Sequence, residues 1–236
     1  LIVASTWSVL EVFQEVAKDY PDNNYLFLDG ETAVDNMIGI SYKSNETGFM
    51  AGCLAALQVK AGSEKIDPSK KIVGFVGSVD AANINDFLVG YIEGVNYIDD
   101  TIKIITSYVG SYEDVATCME MTTQLYNQGA QIVYAPCSQS MLGAVTASSN
   151  SDKYFIACDT DVYAGMIDAD PEIVRNILSS SLKRVGDSII LAANGLWDGT
   201  MKLGENYTLG LAENTVGLAE NENYQKLVSE EVRAEL

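Results

Sequence analysis

The feature that most constrains the fold is the regular alternation of short apolar runs with segments of helical spacing. The runs of strand type cover residues 1–5, 25–29, 37–42, 72–77, 102–108, 131–136 and 154–158. Strands that alternate with helices in this way build parallel sheets. The pattern forms two blocks, divided near residues 58–70, where the chain is polar and contains Pro68. The sequence therefore predicts an α/β protein with parallel sheets.

Two of the predicted helices have distinctive surfaces. In residues 8–17, helical spacing places Val9, Val12, Phe13 and Val16 on one face, which we expect to pack on a sheet. The helix at residues 47–57 is rich in glycine and alanine, which allows close approach of another backbone.

The composition excludes several function classes. Lys and Arg total 14 against 33 Asp and Glu, so the net charge of the 236 residues is -19. Such a surface repels phosphate backbones and anionic lipid, and we expect no nucleic-acid partner. The chain contains no His, which excludes histidine metal sites, triads and general bases. Because 47% of the residues are hydrophobic, the chain has material for a sizeable core.

No motif for a cofactor or metal is visible. Cys53, Cys118, Cys137 and Cys158 are scattered without paired spacing, so we predict free thiols, although Cys137 and Cys158 end neighbouring strands. Gly74-Phe75-Val76-Gly77 lacks the third glycine of a dinucleotide fingerprint. There is no phosphate-binding Gly-Lys-Ser loop and no Gly-x-Ser-x-Gly nucleophile. We expect no cofactor, no metal and no catalytic residue.

The run at residues 154–158 ends in two carboxylates, Asp159 and Asp161, and Lys183 follows in a polar strip. Open α/β sheets bind ligands at the carboxyl ends of their strands. There the acids could accept hydrogen bonds from hydroxyl groups and the ammonium could donate them. The alternative is that the acids cap a turn and Lys183 is a surface ion-pair partner. The pattern alone leaves both interpretations open.

Two aromatic residues follow predicted strands. Tyr112 lies in a loop after the run at residues 102–108, where it could stack on a planar base or cover a helix end. Trp7 follows the first run, where it could face a ligand or fill the core.

Several segments in order resemble the basic membrane protein family, the bacterial substrate-binding lipoproteins of ABC transporters that include purine-nucleoside receptors. The segments are Thr47-Gly48-Phe49-Met50-Ala51-Gly52, Val73-Gly74-Phe75-Val76-Gly77, Tyr108-Val109-Gly110-Ser111-Tyr112, Tyr126-Asn127-Gln128-Gly129-Ala130, Cys158-Asp159-Thr160-Asp161, Leu182-Lys183-Arg184-Val185, Tyr207-Thr208-Leu209-Gly210-Leu211 and Val216-Gly217-Leu218-Ala219.

The resemblance implies a type I periplasmic-binding-protein fold, with two doubly wound parallel-sheet lobes, a hinge and a ligand in the cleft. It implies that Tyr112, where the family usually has Phe, stacks on the base. It also implies that Asp161 and Lys183 bind the ligand, and we add Asp159 and Trp7 as candidates. One departure is Pro136-Cys137-Ser138, where the family has a glycine-rich loop.

On this basis we expect residues 1–58 to belong to lobe one, 59–175 to lobe two, and 176–236 to return to lobe one. The family begins with a further strand–helix–strand–helix unit, which this chain does not contain. We therefore expect an exposed sheet edge near the apolar residues 1–4 and self-association through that edge.

The expected function is capture of a nucleoside, a purine by the resemblance, and its delivery to a membrane permease. The protein is then extracytoplasmic, periplasmic or at the cell surface, and lipid-anchored in full length. The alternatives are a ligand-sensing module of a regulator or receptor and, less favoured, an α/β enzyme.

Overall fold

The computed structural model describes residues 1–5 and 7–236, and the side chain of Trp7 lies outside the described part. Its strands are β1 (Ile2–Ser5), β2 (Tyr25–Leu28), β3 (Met37–Tyr42), β4 (Ile72–Gly77), β5 (Lys103–Tyr108), β6 (Ile132–Tyr134), β7 (Tyr154–Asp159), β8 (Ile177–Lys183), β9 (Asn206–Leu209) and β10 (Val216–Leu218). Its α-helices are α1 (Leu10–Asp19), α2 (Ser44–Ala61), α3 (Ala82–Asp99), α4 (Val115–Asn127), α5 (Met141–Ser151), α6 (Val162–Met166), α7 (Pro171–Val174), α8 (Val185–Asp198), α9 (Glu222–Leu227) and α10 (Glu230–Glu235). Short 3-10 helices span Trp7–Val9 and Ser138–Ser140.

The strands form two sheets, with the orders β1-β2-β3-β9 and β10-β8-β7-β6-β4-β5. The pairings from β1 through β3 to β9, and from β8 through β7, β6 and β4 to β5, are parallel. These strands end at one edge of their sheet, where the next helix or loop begins. The predicted α/β architecture with parallel sheets is confirmed.

The chain forms two compact units. Unit 1 contains Leu1–Lys43 and Lys183–Val216, and unit 2 contains Ser44–Leu182 and Gly217–Leu236. The predicted boundaries at residues 58 and 176 therefore need correction. Helix α2 and the last twenty residues, which we had assigned to lobe one, belong to the second unit.

Glycine contacts explain why α2 belongs to unit 2. A Cβ atom on Gly48 or Gly52 would meet the backbone oxygen of Phe87 or Tyr91 in α3, closer than the 3.0 Å that real Cβ atoms keep. The reverse holds for Gly90 and Gly94, which lie against backbone atoms of α2. The two helices touch backbone to backbone, as the small residues of α2 predicted, and this contact fixes α2 to α3.

The C-terminal segment belongs to unit 2 because its apolar residues complete the core there. Leu218, Tyr224 and Val232 are buried in the same cluster as the strands of the six-stranded sheet. The amide of Ala219 donates to the carbonyl of Ser180 at 2.8 Å. Strands β9 and β10, which are close in sequence, consequently belong to different sheets.

Unit 1 packs one helix on each face of its sheet. Phe13 of α1 contacts the rings of Tyr25 and Phe27, with centroids 5.4 and 6.0 Å apart. On the other face, Ala192 of α8 is buried with Leu26. The prediction that Val9, Val12, Phe13 and Val16 pack on the sheet is therefore correct only for Phe13.

The sheet contacts of α1 are made by Leu10, Phe13 and Ala17, spaced three and four residues apart. Val9, Val12 and Val16 lie on a neighbouring stripe and are exposed. The helix has two adjoining apolar stripes, and only one of them meets the sheet.

Candidate functional site

The carboxylates after β7 have defined structural positions. Asp159 ends the strand with a φ of 69°, a left-handed conformation that Asp tolerates. Asp161 caps α6, and its Oδ1 accepts hydrogen bonds from the amide of Ala164 at 3.1 Å and from Asn221 Nδ2 at 2.8 Å. Asp161 therefore has the capping role that was one of the two sequence interpretations. Both of these bonds go to Oδ1.

Lys183 is the last residue of β8, and its Nζ lies 3.0 and 3.1 Å from the two carboxylate oxygens of Asp29. The side chain of Lys183 is only 15% exposed, and that of Asp29 is 43% exposed. The ammonium also lies 5.8 Å from the centre of the Tyr42 ring. This is a partly buried, bidentate ion pair of unit 1, so its charges are screened by water less than those of a surface pair.

The charges of Asp29 and Lys183 also act on the buried phenol of Tyr42. Its pKa is raised, chiefly because burial disfavours the phenolate, and the carboxylate of Asp29 adds to the rise. Ser188 and Lys183 act in the opposite direction. The phenol of Tyr42 is therefore uncharged at neutral pH, and its ring lies beside the ammonium of Lys183.

Asp29 is the site residue that sequence reasoning missed. It follows β2 and has the same φ of 69° as Asp159. The signal was present, because the run at residues 25–29 ends in an acid just as the run before Asp161 does. The sequence could not show that a lysine 154 positions away would bind it.

Tyr112 lies in a tightly bonded loop after β5. The amides of Gly110 and Ser111 donate to the carbonyl of Ser78 at 2.7 and 3.2 Å, and the carbonyl of Tyr112 accepts from the amide of Ser140 at 2.9 Å. Asp114 then caps α4 through the amide of Thr117 at 2.9 Å. The ring of Tyr112 is partly buried and packs against the core of unit 2. These hydrogen bonds fix the backbone on both sides of Tyr112.

Tyr112 and Asp161 lie at the same edge of one sheet. Strand β5, which precedes Tyr112, is separated from β7 by β4 and β6. Three inter-strand spacings of about 4.8 Å place the strand ends about 14 Å apart. Both residues therefore follow strands that end at the same edge of the six-stranded sheet.

The loop after β6 departs from the glycine-rich pattern of the resemblance. Cys137 is buried and its Sγ donates to the carbonyl of Val76 at 2.8 Å. Ser138 takes the left-handed conformation, with a φ of 53°, that a glycine would adopt without strain. Ser140 Oγ donates to the carbonyl of Cys137 at 2.6 Å. The side chains thus fix a loop that glycine would leave more open.

The four cysteines are free and buried, as predicted. Burial raises the pKa of Cys53 to about 11 and also raises that of Cys137. The thiols of Cys53 and Cys137 therefore remain protonated at neutral pH and are poor nucleophiles.

The remaining candidate, Trp7, has its side chain outside the described residues, so its role stays a prediction. The structure brings Lys183 together with Asp29 in unit 1, and Asp159 together with Asp161 in unit 2. None of the described helices is long and apolar enough to cross a bilayer. Among the described residues, no group of three His, Cys, Asp or Glu side chains is placed to hold a metal ion.

Comparisons with known proteins agree on one family. Residues 1–236 match the model of the family described as ABC transporter substrate-binding protein PnrA-like. Basic membrane protein D of Borreliella burgdorferi is 30% identical over 215 residues, which cover 88% of this chain and 58% of that protein. The chain spans about three fifths of the length of the first curated relatives it matches.

Solved structures show the same fold. A transcriptional activator of the comK gene from Bacillus halodurans matches with a TM-score of 0.80 at 21% identity, over 99% of this chain and 74% of that one. An ABC transporter solute-binding protein from Conexibacter woesei matches with a TM-score of 0.77 at 18% identity, over 99% and 73%. These likenesses establish a type I periplasmic-binding-protein fold. With the match to the family model over its whole length, the chain belongs to the PnrA-like, basic membrane protein family of ABC transporter substrate-binding proteins.

Proposed function

We propose that this substrate-binding protein captures a nucleoside, a purine nucleoside in the first instance, and delivers it to an ABC permease. In this proposal Tyr112 stacks on the base, Asp161 accepts hydrogen bonds from sugar hydroxyls, and Lys183 donates one. Asp159 and Trp7 are further candidate contacts, and Asp29 orients Lys183. The protein performs no catalysis in this role.

One observation carries the proposal: an aromatic ring and a carboxylate stand at the same carboxyl edge of one parallel sheet. A nucleoside has a flat aromatic base and a hydroxyl-bearing sugar, so it needs one surface for stacking and one hydrogen-bond acceptor. The pinned loop of Tyr112 and the capped position of Asp161 hold both groups rigidly. Rigid groups lose little conformational entropy on binding.

Lys183, the candidate donor of the proposal, has a fixed position within unit 1. Its ammonium is held by Asp29 at 3.0 Å, which fixes the donor before any ligand arrives. The side chain of Lys183 is 15% exposed. Such a donor suits a hydroxyl or a ring nitrogen.

The test is a calorimetric titration with adenosine, guanosine, inosine, uridine and D-ribose. We expect a purine nucleoside to bind and D-ribose to bind far more weakly, because the sugar alone cannot stack. Tyr112→Ala should cost about 1–3 kcal/mol, or about ten- to a hundredfold in affinity, as stacked bases lose on alanine substitution.

Tyr97→Ala is the matched control, because Tyr97 is an exposed tyrosine of α3 in the same unit. Its affinity should equal that of the wild type. If no nucleoside binds at millimolar concentration, or if both tyrosine variants bind equally well, the nucleoside proposal is wrong.

A second candidate is a ligand-sensing module of a regulator or receptor. The same fold occurs in a transcriptional activator and in transcription regulators, so the fold alone does not separate the two functions. The protein sequence encoded upstream of the codon for Leu1 distinguishes the transporter protein from the regulator. A lipobox cysteine there supports the transporter protein, and a DNA-binding segment supports the regulator.

The proposal also includes the position and partners of the protein. Substrate-binding proteins of ABC transporters work outside the cytoplasm, and we propose a lipid anchor on the full-length protein. Labelling of the full-length protein with a radioactive fatty acid in its host tests the anchor. We further propose that the chain associates with a second copy of itself.

A further inference from the structure

Two of the four buried cysteines lie against each other inside unit 2. Cys118 belongs to α4, and Cys137 follows β6, nineteen positions later in the chain. Neither side chain is accessible to solvent, and the two thiol groups share a hydrogen bond. Because a cysteine side chain is short, two thiols in this contact already lie near the geometry of a disulfide, in which the Cα atoms are about 4.4–6.8 Å apart.

The packing of α4 on α5 fixes the position of this pair. A Cβ atom on Gly143 of α5 would meet the carbonyl oxygen of Val115 and the amide nitrogen of Met119, both closer than 3.0 Å. Cys118 lies between Val115 and Met119 in α4, and Cys137 lies in the segment that leads into α5. The two sulfur atoms are therefore carried by closely packed backbone.

The two thiols differ in reactivity. The hydrogen bond with Cys137 lowers the pKa of the Cys118 thiol, although burial opposes this effect. Burial raises the pKa of Cys137. Since the thiolate is the nucleophile in disulfide exchange, Cys118 is the residue that attacks an oxidant first, and Cys137 is the one that follows.

Cys158 is the competing partner for Cys137, because it lies on β7, next to β6 in the sheet. Its sulfur lies 3.6 Å from the hydroxyl oxygen of Tyr134, and its amide donates to Sδ of Met141 at 3.3 Å. Cys158 acts on Cys137 through charge, whereas Cys118 also acts through a hydrogen bond. Direct contact therefore favours Cys118 as the partner.

We propose that Cys118 and Cys137 are an oxidisable dithiol, which closes to a disulfide when a small-molecule disulfide such as oxidised glutathione is present. The thiolate of Cys118 attacks one sulfur of the oxidant, and the first thiol leaves. Cys137 then loses its proton and attacks the sulfur of Cys118, and the second thiol leaves. The pair loses two protons and two electrons, and the oxidant is reduced to two thiols.

The new bond would join two supports of the Tyr112 loop. On one side, the amide of Cys118 donates to the carbonyl of Asp114, which caps α4 directly after the loop. On the other side, Ser140 Oγ donates to the carbonyl of Cys137, and the amide of Ser140 donates to the carbonyl of Tyr112 at 2.9 Å. A covalent link between these supports should suppress local opening of the loop.

Burial decides when the exchange can take place. Because both sulfur atoms are inaccessible, the oxidant reaches them while the chain folds or during local unfolding. Substrate-binding proteins of ABC transporters work outside the cytoplasm, where disulfides form and persist. The inference goes beyond the proposed nucleoside binding and does not depend on it.

Refolding of the chain from urea in a buffer of oxidised and reduced glutathione tests the inference. After alkylation of the remaining thiols, peptide mass spectrometry should find one disulfide, which links Cys118 to Cys137, and alkylated Cys53 and Cys158. In hydrogen exchange, peptides from residues 109–118 should exchange at least about tenfold more slowly in the oxidised chain than in the reduced chain.

Cys118→Ala removes the first thiol and should leave the three remaining cysteines alkylated. The matched control is Cys158→Ala, which deletes the competing partner and should form the disulfide to the same extent as the wild type. A folded wild-type chain with four alkylated cysteines, or with a bond between Cys137 and Cys158, overturns the inference whether or not the variants fold. Equal exchange of residues 109–118 in the two redox states overturns the link to the Tyr112 loop.

Discussion

The two units bury their apolar residues to different extents. In unit 2, α2 and α3 touch backbone to backbone, and the core extends from the strands to the C-terminal helices. In unit 1, two smaller clusters lie on the two faces of a four-stranded sheet, whose edge strand and helices leave apolar side chains exposed. The comparison shows that unit 2 has one continuous core, whereas unit 1 divides its buried residues between two smaller clusters. We therefore expect unit 2 to be the more stable unit and the one most sensitive to a change in helix packing.

The largest effect is expected at the contact of α2 with α3. Gly90→Ala puts a Cβ against the carbonyl of Asn45, and backbone cannot move aside cheaply. The free energy of unfolding of unit 2 should fall by about 3 kcal/mol, the upper range for overpacking. Hydrogen exchange with mass spectrometry at increasing urea separates the units, because peptides from residues 44–182 report on unit 2 and peptides from residues 1–43 and 183–216 report on unit 1.

The unfolding transition of the unit 2 peptides should therefore shift to lower urea more than that of the unit 1 peptides does. The control is Gly186→Ala in α8, where no atom lies within 4 Å of the new Cβ. It should stabilise unit 1 by about 0.5–1 kcal/mol, because glycine is unfavourable in a helix. If Gly90→Ala is harmless, the two helices are not in backbone contact.

The next effect concerns the ion pair of Lys183 with Asp29. Asp29→Ala leaves a largely buried ammonium without its carboxylate, and we expect a loss of about 1–2 kcal/mol in the stability of unit 1. The loss is below that of a fully buried pair because Asp29 is 43% exposed. Hydrogen exchange of the unit 1 peptides at increasing urea measures it.

The comparison pair is Lys70 with Asp67 in unit 2, whose side chains are 68% and 50% exposed. Lys70→Ala should cost less than about 1 kcal/mol, as exposed pairs do. Equal losses for the two variants would show that Lys183 is as solvated as a surface lysine.

The smallest effect is a pH dependence in unit 2. Hydrogen bonds from Lys71 and Thr101 lower the pKa of Asp99 from 3.8 to about 2. The folded state therefore binds this proton less readily than the unfolded state. The stabilisation from Asp99 is complete above about pH 4 and is lost as the pH falls to about 2.

Asp99→Asn should accordingly show a flatter loss of stability between pH 4 and pH 2 than the wild type. Thermal unfolding at a series of pH values, followed by circular dichroism, measures this. Parallel curves for the two proteins would mean that the carboxylate of Asp99 is not bound by Lys71 in solution.

Local patterns predicted the local structure. The period of the apolar residues identified the strands, and the glycines of α2 indicated its close packing before α3 was known as its partner. The acids at strand ends marked two sheet edges, one in unit 1 that carries Asp29 and one in unit 2 that carries Asp159 and Asp161. These features depend on residues within one element or one turn, which the sequence displays directly.

What the sequence did not show depends on residues far apart in the chain. It could not choose which of two adjoining apolar stripes of α1 would face the sheet, because Val9, Val12 and Val16 are as apolar as Leu10 and Phe13. It did not separate β9 from β10, since only the pairing with β3 on one side and β8 on the other assigns them to different sheets. It also missed the role of Asp29, which depends on Lys183.

Asp161 has two roles in this account, a helix cap and a ligand contact, and one measurement separates them. Asp170 caps α7 through the amide of Ile173 at 3.1 Å, just as Asp161 caps α6, and has no proposed ligand role. Both Asp161→Ala and Asp170→Ala should lose about 1 kcal/mol of stability, as lost caps do.

Calorimetric titration of both variants and the wild type with the nucleoside that binds tightest tests the central claim. The account predicts that Asp161→Ala loses about 1–3 kcal/mol of binding free energy, the range for a lost hydrogen bond to a charged group. It predicts that Asp170→Ala binds like the wild type. Equal affinities for the two variants would contradict it and leave Asp161 as a cap alone.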